Sequence, residues 1–170
     1  MLKKENKLLV LLIICLLLLA GCKKANEFKK EFESLNKEGY VTVTLSDDNP
    51  FIKSTDKEIE DLIEEKSSFL VLYGNKEDNY TRTVISLISD RSKYYGIKTV
   101  YFVEMKSDIP QLVGYIDGLL SGRTNCISGY QVDPLIEMTD EMKEESITKI
   151  NDVIEPVSIR LNSCDIDVGC

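Results

Sequence analysis

The sequence predicts an α/β protein, on three observations. Ser68 to Tyr73 is apolar throughout its centre and has the length of a strand covered on both faces. Ile97 to Val103 is a second near-continuous apolar run of the same kind. Between them, Asn79 to Tyr95 carries Val84, Leu87, Ile88 and Tyr95 at helical spacing. Two buried strands joined by a helix make a βαβ unit, with a parallel strand pair and a right-handed crossover.

Upstream of that unit, Tyr40 to Leu45 alternates apolar and polar positions with β-branched residues, the pattern of a strand with one buried face. Ser46 to Pro50 reads as a turn. Thr55 and Glu58 have the capping-box spacing, and Ile59, Leu62 and Ile63 line one face of the short helix they open. Downstream, Ile109 to Gly122 admits two readings. One is a helix with Pro110 in its first turn; the other is a strand at Gln111 to Ile116, a turn at Asp117-Gly118 and a returning strand. Thr139 to Ile154 reads as a final helix with Ile147, Ile150 and Ile154 facing the core, ended by Pro156.

The N-terminus bears on location. Lys3, Lys4 and Lys7 precede an unbroken apolar run of twelve residues, Leu8 to Leu19. A membrane span needs roughly 17–25 residues, so this run has the length of a secretory signal core instead. The following Leu19-Ala20-Gly21-Cys22 resembles the lipobox of bacterial lipoproteins. That resemblance implies a signal peptide over 1–21 and a diacylglyceryl group, palmitate among its acyl chains, on Cys22. The alternative is an uncleaved anchor with an incidental cysteine. Both readings hold the chain at the cell membrane, on its extracytoplasmic face. Residues 22–38, with five lysines and four glutamates from residue 23 onward, read as a solvated tether, helical near Phe28 to Leu35, to a domain over 39–160. A cysteine-containing tail, 161–170, follows.

Composition removes several function classes. The net charge is −8, and loss of the leader with its three lysines and Glu5 takes it to −10. Such a domain repels nucleic acid and anionic headgroups, so no nucleic-acid partner is expected. The chain contains no histidine, so a Ser-His-Asp or Cys-His site within it is impossible. The commonest transition-metal ligand is missing too, and no metal, cofactor or catalytic residue is assigned.

The segment "SSFLVLYGNKEDNYTRTVISLISDRSKYYGIKTVYFV" resembles that of bacterial thioredoxin-like proteins related to bacteriocin transport accessory proteins. "DNPF" before the first helix, "DPLIEMTDEMKEE" before the last and two cysteines near the C-terminus extend the resemblance over roughly residues 47–170. It implies a thioredoxin-like mixed sheet flanked by helices, and it selects the hairpin for 109–122, with Pro110 as a cis-proline. Only Lys106, Ser107 and Asp108 separate the third strand from "IP", so the fold is shortened between that strand and the cis-proline strand.

Laying the family's Pro-x-Cys-Pro-x-Cys-Arg pattern on "NKEDNYTR" puts Lys76 at the first proline, Asp78 and Thr81 at the two cysteines, and Arg82 at the arginine. Thiol–disulfide exchange needs an attacking thiolate and a resolving thiol, and neither position offers one. Asp78 then reads either as a helix cap or, with Glu77, Tyr80 and Arg82, as part of a polar recognition surface beside Pro110. Three cysteines remain besides Cys15 and Cys22. Cys164 and Cys170 form a structural disulfide, a relocated redox pair, or offer one partner to Cys126; by itself Cys126 reads as a small buried residue. The expectation is a redox-inactive lipoprotein that binds an exported protein or peptide, not an enzyme. The alternative is a thiol–disulfide oxidoreductase or redox sensor using the C-terminal cysteines.

Overall fold

The computed structural model describes residues 24–106, 109–127 and 138–164, of Cys164 the backbone alone. Helix α1 occupies residues 24–33. It is followed by β1 (Phe51–Ser54), α2 (Asp56–Glu64), β2 (Phe69–Gly74), α3 (Asn79–Tyr94), β3 (Val100–Glu104), β4 (Gln111–Ile116), β5 (Leu119–Asn125) and α4 (Asp140–Cys164). The strands form an open mixed sheet in the order β1-β3-β2-β4-β5. β1, β3 and β2 are parallel; β4 runs antiparallel to β2, and β5 antiparallel to β4. The protein is therefore α/β, with helices on both faces of the sheet.

Strand periodicity divides the core in two. Leu70 and Leu72 of β2 point to one face, where α1, α3 and α4 bury Phe28, Phe32, Val84, Ile88, Ile150 and Ile154. Phe69 and Val71 point to the other face, where Ile59 of α2 packs with Val103 and Val113. A central strand with both faces covered is apolar at every position, which is why 69–72 carries no alternation. The Thr55–Glu58 capping box is formed, and Asp117 (φ 51°) and Gly118 (φ 77°) make the positive-φ pair of a tight hairpin turn. Gly118 is obligatory there: a Cβ on it would lie 2.4 Å from the Ile63 carbonyl oxygen.

Four expectations are corrected. The segment read as a solvated tether contains α1, whose Ala25, Phe28 and Phe32 are buried against the sheet. Phe28 stacks on Phe32 and Phe51 at 4.7 and 5.0 Å, and Phe32 meets the edge of Phe102 at 5.5 Å. Three apolar residues at i, i+3 and i+7 form one stripe of a helix whose other positions are charged or polar, so the composition conceals an anchoring face.

Residues 40–45 form no strand. Val43 and Leu45 are buried and Thr42 and Thr44 exposed, as the alternation implies, but side chains take the place of a neighbouring strand. Asn36 brackets Val43, donating to its carbonyl at 2.8 Å and accepting from its N–H at 2.9 Å. Glu33 accepts from Leu45 N–H and Asn79 from Val41 N–H. Alternation reports which side faces the core, not what the backbone pairs with. The first strand, at one edge of the sheet, is β1, directly before the α2 cap.

Helix α4 continues through Pro156 to Cys164. Proline inside a helix costs about 3 kcal/mol. Pro156 sits on the exposed face, where the Asp152 region meets solvent, while Val153, Ile154, Val157 and Ser158 on either side are buried. Burial of each aliphatic side chain contributes about 1.5–3 kcal/mol, which outweighs the lost bond.

Finally, no peptide bond among the described residues is cis, so Ile109–Pro110 is trans. The trans form is favoured by about 0.5–1 kcal/mol at an Xaa-Pro bond. Pro110 is buried at the start of β4 with its carbonyl accepting from Cys126 N–H at 3.3 Å, a position that trans geometry meets. β3 and β4 are joined by Met105 to Pro110, too short a connection for an intervening helix of ordinary length.

Candidate functional site

The turn between β2 and α3 lies at the carboxyl ends of the parallel strands, where open α/β sheets bind ligands. Its polar groups are largely used within the turn. The Asp78 carboxylate caps α3, accepting from Thr81 N–H at 2.7 Å. Asn75 accepts from Glu77 N–H at 2.9 Å, and its own N–H donates to the Thr81 hydroxyl at 3.1 Å. Thr81 is fully buried and pressed against Gly74. The two positions matched to thiols are thus a helix cap and a sealed hydroxyl.

Arg82 is the largest of the fully buried side chains, 1% exposed. Nε donates to the Val41 carbonyl at 2.7 Å, and NH1 donates to the Phe32 and Lys76 carbonyls at 3.1 and 3.2 Å. NH2 donates to Asn36 Oδ1 at 2.6 Å, and the Tyr40 ring lies 5.6 Å away. Burial pulls its pKa down, but guanidinium stays protonated under all ordinary conditions. This cation joins α1, the 40–45 segment and the turn as a staple, and it forms part of the floor of a groove along α3. Of the four residues expected in a recognition surface, Glu77 is exposed, Asp78 and Tyr80 are half-buried, and Arg82 is enclosed.

Beside the turn, Glu31, Lys53, Lys76 and Glu104 form an alternating charge ring over the ends of β1, β2 and β3. Glu31 accepts from both Lys76 and Lys53, and Glu104 lies 3.6 Å from Lys76 and 3.5 Å from Lys53. Burial raises the Glu31 pKa, but the hydrogen bonds from Lys76 and Lys53 outweigh it and hold the carboxyl below its usual range. Lys76 is held above the usual lysine value, chiefly by its bond to Glu31. Sequence reasoning missed this ring because its members come from α1, β1, the turn and β3.

On the other side of α3, an open groove of about 690 Å³ is lined by Tyr40, Val41, Thr83, Leu87, Met138 and Lys143. Its lining mixes apolar and polar groups and is open to solvent. Pro110 is set beside the turn by the pairing of Tyr73 with Gln111.

Cys126 is an unpaired, buried thiol whose pKa burial pushes up to about 12, so it is unreactive in the folded state. Cys22, Cys170 and the Cys164 side chain lie outside the described residues. Among the described residues no group of histidine, cysteine and carboxylate side chains is arranged to hold a metal ion, and no helix is long and apolar enough to cross a membrane. The chain matches no protein-family model, and no curated protein matches it in sequence.

Proposed function

We propose that the protein is a membrane-anchored extracytoplasmic lipoprotein with a thioredoxin-like domain that has lost its thiol chemistry and recognises an extended polypeptide. Support for the fold comes from the strand order β1-β3-β2-β4-β5, with three parallel strands, an antiparallel hairpin and a closing helix. The observation that carries the loss of redox function is the state of residues 78 and 81. One carboxylate is committed to a backbone N–H, and one buried hydroxyl accepts from Asn75. Neither presents a nucleophile at the carboxyl end of the sheet. The polypeptide ligand is supported by the groove along α3, whose Tyr40, Leu87 and Met138 offer apolar contacts beside Thr83 and Lys143.

Two measurements test the reading together. The mature protein should leave the rate of insulin reduction by dithiothreitol unchanged. A photoreactive residue in place of Thr83 should crosslink a discrete set of exported polypeptides in the envelope, and one in place of Lys57, on exposed α2, should not. A rate gain that vanishes in Cys164→Ser contradicts the reading in favour of the tail thiols. Membrane retention of a processed Cys22→Ala variant contradicts the lipid anchor.

A further inference from the structure

The large apolar side chains exposed among the described residues are Tyr94 (73%), Leu119 (74%), Leu120 (56%), Ile159 (64%) and Leu161 (37%). They come from three separate elements, yet all five lie at one end of the molecule. Tyr94 is the last residue of α3, at the end where β3 is about to begin. Leu119 and Leu120 open β5 opposite Ile116 and Tyr115, and the preceding Gly118 donates its N–H to the Ser67 carbonyl just before β2. Ile159 and Leu161 flank Arg160, which pairs with Asp117 of the hairpin turn at 3.0 Å. This is the amino end of the parallel strands, opposite the turn at 75–78.

The chain enters the fold at the same end. The Ala25 carbonyl accepts from Asn49 just before β1, and Lys29 pairs with Asp47. Three residue steps separate Cys22 from Ala25, and an extended chain spans at most about 3.6 Å per residue, so the two Cα atoms are within about 11 Å. With α1 packed into the core from Ala25 onward, an anchor at Cys22 lies only three residues from the packed domain.

We infer that this end of the domain is a bilayer-docking face, with Tyr94, Leu119, Leu120 and Ile159 seated in the lipid headgroup region. The inference rests on the reading that the N-terminal segment anchors the chain at a membrane. Topology gathers these exposed apolar groups at one end of the domain, where they mark an interaction surface, and aromatic and leucine side chains suit the interface between headgroups and acyl chains. At this end Lys93 pairs with Asp48 and Arg160 with Asp117, Glu64 and Glu65 offset Lys66 and Lys98, and the Arg91 guanidinium, bonded to Asn151, lies 4.3 Å over the Tyr94 ring. Docking is therefore apolar, held by the anchor against the repulsion of an acidic domain. It directs the 75–82 turn and the groove along α3 away from the bilayer.

The chain contains no tryptophan, so a single introduced indole reports one site. The full-length, lipid-modified protein is reconstituted in phosphatidylethanolamine–phosphatidylglycerol vesicles as Leu120→Trp, Ile159→Trp or Glu77→Trp. Doxyl-labelled lipid with the spin label near the headgroups serves as quencher. The first two variants should shift their emission to the blue and lose most of it to the quencher, at low and high salt alike. Glu77→Trp should do neither. If the Leu120 and Ile159 probes stay unquenched while the protein floats with the vesicles, the docking face is refuted and the anchor stands. A blue shift that depends on protein concentration without lipid quenching assigns the face to a second copy of the chain and overturns the proposal. Failure of the protein to float removes the anchoring reading, and the inference with it.

Discussion

Thr81 and Gly74 are packed so closely that a Cβ on residue 74 would fall 2.8 Å from Thr81 Cγ2 and 2.9 Å from its hydroxyl. The contact joins the last residue of the central strand to the first turn of α3, and the buried Thr81 cannot turn away. Gly74→Ala should therefore destabilise the protein by about 1–3 kcal/mol, the range for overpacking a filled site. In a Thr81→Ala background the same change should cost much less. Urea unfolding of the four proteins of this cycle measures the coupling.

Arg82 offers a second test, because its guanidinium satisfies three carbonyls and the Asn36 side chain at once. Arg82→Met leaves these acceptors without their donor and should cost about 3 kcal/mol or more. Arg82→Lys should rescue little of that loss, since an ammonium is a point donor and not a planar fork. Were Arg82 a ligand-binding group, both variants would keep their stability and lose only binding. Chemical denaturation separates the two cases.

Acid should weaken the charge ring. Glu31 has a folded pKa below the ordinary carboxyl value of 4.5, so its contribution is present above that value and disappears as pH falls through the depressed one. Lys76 is shifted the other way, and its contribution persists below 10.5 and disappears as pH rises through the raised value. Glu31 is partly solvent-exposed, so the effect is modest. Glu31→Gln should flatten the acid limb of the stability–pH curve relative to the natural protein. An unchanged acid limb would mean that the ring contributes nothing.

How much of this was legible in the sequence differs by element for physical reasons. The β2 run, the Thr55–Glu58 box and the Asp78 cap depend on neighbouring residues, so local pattern suffices to find them; the Asp117-Gly118 turn competes with a helical reading of the same apolar spacing, and only the family resemblance selects it. Phe28 and Phe32 were hidden because a stripe of three apolar residues within a lysine- and glutamate-rich segment reads as solvated until its covering partner is known. The paired backbone expected at 40–45 is replaced by bonds from Asn36, Glu33 and Asn79, residues with no periodic signal. Arg82 looked like a surface cation because a buried guanidinium without a carboxylate partner is uncommon, and its acceptors lie up to fifty positions away. Pro156 read as a helix end because local propensity takes no account of the buried residues on both sides of it.

The central claim is that residues 78 and 81 occupy the two thiol positions of a thioredoxin-like turn, and restoring the thiols tests it most directly. The Asp78 side chain already reaches the backbone of Thr81, so side chains at these positions share one helical turn. In a chain begun after Cys22, with Cys126, Cys164 and Cys170 replaced by serine, Asp78→Cys with Thr81→Cys is oxidised mildly and its thiols are counted. The account predicts an intramolecular disulfide, its Cα atoms within about 4.4–6.8 Å, and a gain in insulin-reduction rate from a thiol at a helix N-terminus. A pair that stays reduced, or that links only between molecules, would contradict it.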